Sequence, residues 1–458
     1  MKSSLAVVIT ALIGAALLGG QTSHALADQP GTQAEPSAPA TAGPSPLQQW
    51  IDSVIPAPPR ASPPDSASEP AESALWRQVL SPPTGDPIFD VRPADLESLL
   101  PGQVIETRDV TATTALRMAT PISRATLVKF RSTSATGAPS FGTATLIVPA
   151  TPWSGTGSRP VEVNAMPINS LGAHCTPGFQ LSHGLLVRPN TDLPIFVPAL
   201  WSALAKGHAV LVPDHEGPLM AYAEPNIAAH VMLDSIRALR SYLPGEYGDS
   251  RYVTVGYSGG AIAAYAAAML LDEYAPELSG VLVGAAAGGL VTDYANVAHQ
   301  FNGNISSGIL LTVSLAIARE HPELLRHMNH LAQWVATSPL RDICGDSSGP
   351  LGVVGLPIDV AADTAAPLDS PFAAKMFERL DLTGRTSTVP LYIYHGAHDP
   401  WIPIDDARRM YLQQCGRGVP AVFRSVPGEH LIGYITGSPD LDRWTDARLR
   451  GEPAPSEC

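Results

Sequence analysis

The sequence predicts an α/β domain built on a largely parallel sheet. Two observations carry that reading: short apolar runs closed by Gly, Pro, Asp or His recur along the chain, and longer helical stretches separate them. A third makes it physically possible, since 45% of the 458 residues are apolar and can bury a large core.

Taken in order, the chain opens with Lys2, an apolar run Leu5–Gly20 and the small-residue site Ala25-Leu26-Ala27. This is the pattern of a secretory signal peptide over residues 1–27, and the run is shorter than the roughly 20 residues of a membrane-spanning helix. Residues 28–75 are dominated by Pro, Ala and Ser. Their apolar bulk is too small to offset the entropy of ordering, which predicts a flexible spacer in which only Leu47–Ile55 could dock. The folded domain is expected over 76–458.

Within it, strands are expected at Ala209–Pro213, Tyr252–Gly256, Val281–Gly284, Pro390–Tyr394 and Ala421–Val426. Helices are expected at Ala223–Tyr242, Gly260–Tyr274 and Asp405–Gln414, the last opened by Pro403 and a capping Asp405. Residues 290–385, with helical patterns at Ile309–Ala318 and Pro322–Val335, are too long for a connection and predict an inserted helical subdomain.

Charge and cysteine content narrow the function. Lys plus Arg number 28 against 42 Asp plus Glu, and the net charge of −14 disfavours nucleic acid as a partner. Cys175, Cys344, Cys415 and Cys458 are an even set in an apparently exported chain, so two disulfides are expected, with three pairings open. No C-x-x-C spacing supports a structural zinc site, and His321, His327 and His330 read as a solvated helix face.

The strongest chemical signal is Gly256-Tyr257-Ser258-Gly259-Gly260, a G-x-S-x-G between an expected strand and a helix rich in Ala and Gly. A serine on so sharp a turn takes strained backbone angles, and side chains two residues either side would collide. Ser258 is therefore the candidate nucleophile, with Gly256, Tyr257 and Gly260 forming its elbow. The helix N-terminus behind it favours developing negative charge.

A second match, Gly345-Asp346-Ser347-Ser348-Gly349, together with His174-Cys175 looks like the signatures of chymotrypsin-type proteases. That pattern wants glycine at 348 and a cysteine before the histidine, and the Ala-rich helical surroundings do not suit a double β-barrel. A surface turn beside Cys344 is the plainer reading.

For Ser258 the acid and base should follow in that order on later loops. Asp399 leaves the end of the strand Pro390–Tyr394, whereas Asp405 and Asp406 sit where helix capping alone accounts for a carboxylate. His430 follows the last strand on a loop and is the only histidine after Asp399. One oxyanion donor should be the backbone N–H of Gly259; the other is expected from the main chain of Asp214 in Asp214-His215-Glu216-Gly217, for which a turn cap is the alternative role.

With Asp234-Ser235-Ile236-Arg237-Ala238-Leu239, Ile402-Pro403 and Gln414-Cys415 added, the chain from about Pro82 resembles the secreted lipase family typified by fungal lipase A. The resemblance implies an α/β-hydrolase fold: a mostly parallel central sheet flanked by helices, with a largely helical lid over 290–385. It implies a Ser258–Asp399–His430 triad, oxyanion donors at Gly259 and Asp214, and pairing of Cys415 with Cys458, which leaves Cys175 with Cys344. Trp401 departs from the smaller or acidic residue expected after the acid and would narrow the acyl pocket. The expected function is a secreted triacylglycerol lipase acting on acylglycerols at a lipid–water interface. It would need no metal or organic cofactor and would be extracellular or held at the cell envelope. A carboxylesterase for short soluble esters, a serine peptidase on the same scaffold and a non-catalytic surface protein are the rival classes.

Overall fold

Nine strands form one sheet: β1 (Val104–Asp109), β2 (Ile122–Thr133), β3 (Pro139–Pro149), β4 (Val161–Ala165), β5 (Ala209–Pro213), β6 (Tyr252–Tyr257), β7 (Leu282–Gly288), β8 (Leu391–Gly396) and β9 (Ala421–Val426). Their order across the sheet is β1-β2-β3-β5-β4-β6-β7-β8-β9. The first three strands pair antiparallel, as does β3 with β5, and every pair from β5 to β9 is parallel. The molecule is seen in a computed structural model that describes residues 43–59, 71–187, 192–347, 351–353 and 355–458. The expected signal segment 1–27, and residues 28–42 and 60–70 of the expected spacer, lie outside the described residues.

The five strands expected from sequence are β5 to β9. Residues of β5, β6 and β8 are buried throughout because helices cover both faces of the sheet. Pro225–Tyr242, Gly259–Tyr274 and Ile404–Gly416 pack on one face, and Asp192–Ala205 and His430–Leu449 on the other. The chain leaves β4 for β5 on one side and returns to β6 on the other. The C-terminal ends of β4 and β6 therefore border the switch point of the sheet, where a crevice opens.

The insertion between β7 and β8 is helical, with Tyr294–Phe301, Ser307–Glu320, His330–Thr337 and Pro371–Leu380 as its α-helices. The single helix expected over Pro322–Val335 is broken: a 3-10 segment, Pro322–His327, ends before Asn329, whose side chain caps the next helix by accepting from the Ala332 N–H. His321 is buried with Nε2 3.4 Å from Glu224, so it does not belong to a solvated face. Arg319, also fully buried, donates to the carbonyls of Val79, Leu171, Leu219, Met220 and Arg341, and so ties the insertion to the body.

Within the expected spacer, the stretch that could dock, Leu47–Ile55, does so, and helix begins before the expected boundary at 76. Pro46–Val54 is a helix opened by a Ser45/Gln48 capping box, and Ala71–Val79 is another. Ile51 is fully buried, Gln48 Nε2 donates to the carbonyls of Asp359 and Thr364, and Asp52 accepts from the His330 N–H. Local capping, burial of Ile51 and hydrogen bonds to the insertion order Pro46–Val54 despite its composition. Two disulfides, Cys175–Cys344 and Cys415–Cys458, fasten the insertion to the body and the C-terminus to the Ile404–Gly416 helix. Among the described residues no helix is long and apolar enough to cross a membrane.

Candidate active site

Ser258 sits between β6 and the Gly259–Tyr274 helix with φ +52° and ψ −121°, a backbone conformation that a non-glycine residue holds only under constraint. The neighbouring glycines make the turn possible. A Cβ at Gly256 would stand 2.1 Å from the Gly260 carbonyl oxygen, and one at Gly260 would stand 1.9 Å from that of Ala165. The helix must come this close to β4 and β6 for the serine to be lifted above the sheet.

His430 and Asp399 reach the same point from the ends of β9 and β8. His430 Nε2 lies 2.9 Å from Ser258 Oγ, and Nδ1 lies 2.5 Å from Asp399 Oδ2. With the Nδ1 proton facing the carboxylate, Nε2 is free to accept from the serine hydroxyl. His430 is not on a loop as expected: it is the first residue of the His430–Leu449 helix, because the Glu429 side chain caps that helix by accepting from the Leu431 and Ile432 N–H groups. The Tyr257 hydroxyl donates to the His430 carbonyl, linking the elbow to the base.

The Asp399 side chain is fully buried. Its Oδ1 accepts from the backbone N–H of Trp401 (2.9 Å) and Ile402 (3.0 Å). Burial alone would raise its pKa, but hydrogen bonds from His395 and His430 outweigh it and hold the carboxyl well below the usual carboxylate range. Asp406, the competing acid, is engaged as a helix-start carboxylate with Asn296 and Arg409.

The assignment of Asp214 as an oxyanion donor is overturned. Its main-chain N–H donates to the Thr143 carbonyl at 2.9 Å and cannot also face a substrate. Its buried carboxyl accepts from Thr143 Oγ1 and the Gly178 N–H, and burial pushes it up to about 7. The Asp-His-Glu turn instead braces the loop after β4. His215, which burial drives down to about 4, has Nε2 2.9 Å from the Met166 carbonyl, and Glu216 accepts from the Ser170 N–H.

That loop carries the residue missed in the sequence, Asn169. It has φ +50°, and its buried Oδ1 has no hydrogen-bond partner among the described residues. It lies directly against Gly259, where an added Cβ would meet Oδ1 at 2.0 Å. The first N–H groups of the Gly259–Tyr274 helix have no intrahelical partner, so Gly259 presents a donor at the same place. The signal available is positional: Asn169 follows the strand beside β6, and Val161–Ala165, as long as β5, is too mixed in polarity to stand out.

Ser258, Gly259, Asn169 and His430 border a cavity of ≈ 440 Å³. Its walls come largely from the insertion, through Leu310, Leu311, Phe372, Met376 and Phe377, and from Trp401, whose ring centroid is 5.1 Å from that of His430. The arrangement suits an acyl group held beside an activated hydroxyl.

Among the described residues, the second G-x-S-x-G is not a strand-to-helix elbow. Gly345–Ser347 is a 3-10 turn following the Cys175–Cys344 bridge, and Ser348 and Gly349 lie outside the described residues. His174 packs on that bridge, with Nε2 3.5 Å from Cys175 Sγ and 3.6 Å from Cys344 Sγ.

Residues 195–457, more than half of the chain, match the family model described as secretory lipase. Lipase 10 of Candida albicans is 28% identical over 404 residues, spanning 83% of this chain and 84% of that protein. A secreted triacylglycerol lipase of Malassezia globosa is 26% identical over 398 residues, spanning 82% of each. The closed-state structure of Candida antarctica lipase A superimposes with a TM-score of 0.74 at 23% identity, covering 83% of this chain and 90% of that one. The chain belongs to the secretory lipase family, ester hydrolases of the α/β-hydrolase fold of the fungal lipase A type.

Proposed function

We propose that the chain is a secreted triacylglycerol lipase that cleaves acylglycerols through an acyl-enzyme on Ser258. The observation that carries this reading is the unbroken hydrogen-bonded path from Ser258 Oγ through His430 to Asp399 at the border of an apolar cavity. His430 takes the serine proton as Oγ attacks the ester carbonyl, and Asp399 orients the ring and stabilises its positive form. The proton then passes to the departing alcohol, and water activated by His430 releases the acid. Gly259 serves as an oxyanion donor through its main-chain N–H, contributing about 3 to 4 kcal/mol to the transition state, with Asn169 packed beside it.

The insertion 290–385 acts as the lid, since it supplies most of the cavity wall and would expose apolar surface on opening. The substrate named for the Malassezia globosa relative points the same way. The test compares Ser258→Ala with Ser347→Ala on emulsified long-chain triacylglycerol and on dissolved short-chain esters. Ser258→Ala should lose about 10⁴-fold or more on both substrates while Ser347→Ala keeps wild-type rates. A wild-type enzyme that strongly prefers the dissolved esters would replace the lipase reading with a carboxylesterase.

A further inference from the structure

Asp399 Oδ2 faces two imidazoles. One belongs to His430; the other is His395, at the end of β8, whose Nε2 stands 3.2 Å from the same oxygen. Both partners in this second contact are fully buried. His395 Nε2 also lies 2.9 Å from the Ile402 carbonyl, while its Nδ1 is buried with no partner among the described residues.

The hydrogen atoms follow from these neighbours. Nε2 is surrounded by acceptors only, a carbonyl and a carboxylate, so it must carry the proton. Nδ1 has no acceptor beside it among the described residues. Asp399 therefore accepts two backbone N–H groups on Oδ1 and that of His430 on Oδ2, and the Nε2–H of His395 is shared between the Ile402 carbonyl at 2.9 Å and Oδ2 at 3.2 Å.

We propose that His395 is a positioning residue for the catalytic acid, its Nε2–H holding Asp399 Oδ2 in line with His430 and setting how strongly that carboxylate draws a proton onto the base. This rests on the Ser258–His430–Asp399 reading above. A donor on Oδ2 withdraws negative charge from the oxygen that His430 faces. Removing it concentrates that charge on His430 and raises the pH at which the base becomes protonated. The other titratable group bearing on Asp399 is Tyr257 from β6, which Glu429 and Tyr434 from the C-terminal helix and its cap face in turn. None of them bonds to Oδ2, so the effect is specific to position 395.

The test uses the full chain with a dissolved short-chain ester, comparing His395→Leu, which removes the donor, with His395→Gln, which returns an N–H at the same reach. His395→Leu should lower kcat about tenfold to a hundredfold with KM little changed. It should also move the acid limb of the kcat/KM profile upward by about half a pH unit or more. His395→Gln should restore both. An unshifted profile in a folded His395→Leu, or a His395→Gln that behaves like it, overturns the proposal.

Nitrogen NMR of the wild-type histidines gives a readout independent of variant folding. His395 should carry its proton on Nε2, and a proton on Nδ1 alone would overturn the assignment. Labelling of wild-type Ser258 by an alkylphosphonate separates the two layers. If the wild type is not labelled, the triad fails; if it is labelled and the profile is unmoved in His395→Leu, only the role of His395 fails.

Discussion

Asp399→Asn exchanges one carboxylate oxygen for an amide without altering the side chain's shape, and the structure fixes which way that amide must turn. The Oδ1 position accepts two backbone N–H groups, at 2.9 and 3.0 Å, so the remaining oxygen has to stay there. The amide nitrogen then takes the place of Oδ2, 2.5 Å from His430 Nδ1. It donates to Nδ1, which drives the ring proton to Nε2 and aims an N–H at Ser258 Oγ, so the base can no longer accept the serine proton. The same amide also meets the Nε2–H of His395 head-on, which leaves the nitrogen crowded by donors. A triad acid replaced in this way lowers kcat by about 10⁴, or about 5 kcal/mol at 1.36 kcal/mol per decade. Initial rates on a dissolved ester read this directly, with KM expected within about twofold of wild type and the far-UV circular dichroism unchanged. A folded Asp399→Asn enzyme within tenfold of wild-type kcat would refute the reasoning.

Three further outcomes follow from the geometry. Burial pushes Glu162 up to about 7 from an ordinary 4.5, so the unfolded chain releases this proton first, and its contribution to stability is lost as pH rises from about 4.5 to about 7. Relative to wild type, Glu162→Gln should therefore gain up to about 3 kcal/mol between pH 4 and pH 8 in denaturant titrations; a pH-independent difference would count against a neutral buried acid. The Cys175–Cys344 bridge closes a separation of 169 residues, and replacing both cysteines by alanine should lower stability by about 2 to 5 kcal/mol, seen as a drop in Tm. Gly260→Ala places a Cβ 1.9 Å from the Ala165 carbonyl oxygen, so esterase activity should fall at least about a hundredfold per folded molecule; wild-type rates would mean the elbow can relax.

Much of this was legible because the parallel half of the sheet writes itself as closed apolar runs. β5 to β9 stand out for that reason, and Ser258, Asp399 and His430 each follow one of their ends. The antiparallel strands were harder to read: β2 and β3 carry polar residues such as Arg124, Lys129 and Thr145 among the apolar ones, and β1 is largely exposed. The oxyanion side was misread for a related reason. Asp214 closes a strand visible in the sequence, but the main-chain hydrogen bond that engages its N–H depends on how β3 lies beside β5. Asn169 follows β4, five residues long, and its importance comes only from the sheet order that sets β4 beside β6. Leu47–Ile55 is legible as a stretch that could dock, but not where, since the partners of Pro46–Val54, Asp359 and Thr364, are some 310 residues away in sequence.

Whether Ser258 is the hydroxyl that attacks an ester carbonyl can be read from one intact-mass measurement on the folded full chain after reaction with a p-nitrophenyl alkylphosphonate. A single adduct that maps to Ser258, spares Ser347 and vanishes in Ser258→Ala is the predicted result. An adduct on another residue, or a folded and ester-active protein that takes up none, would contradict the account.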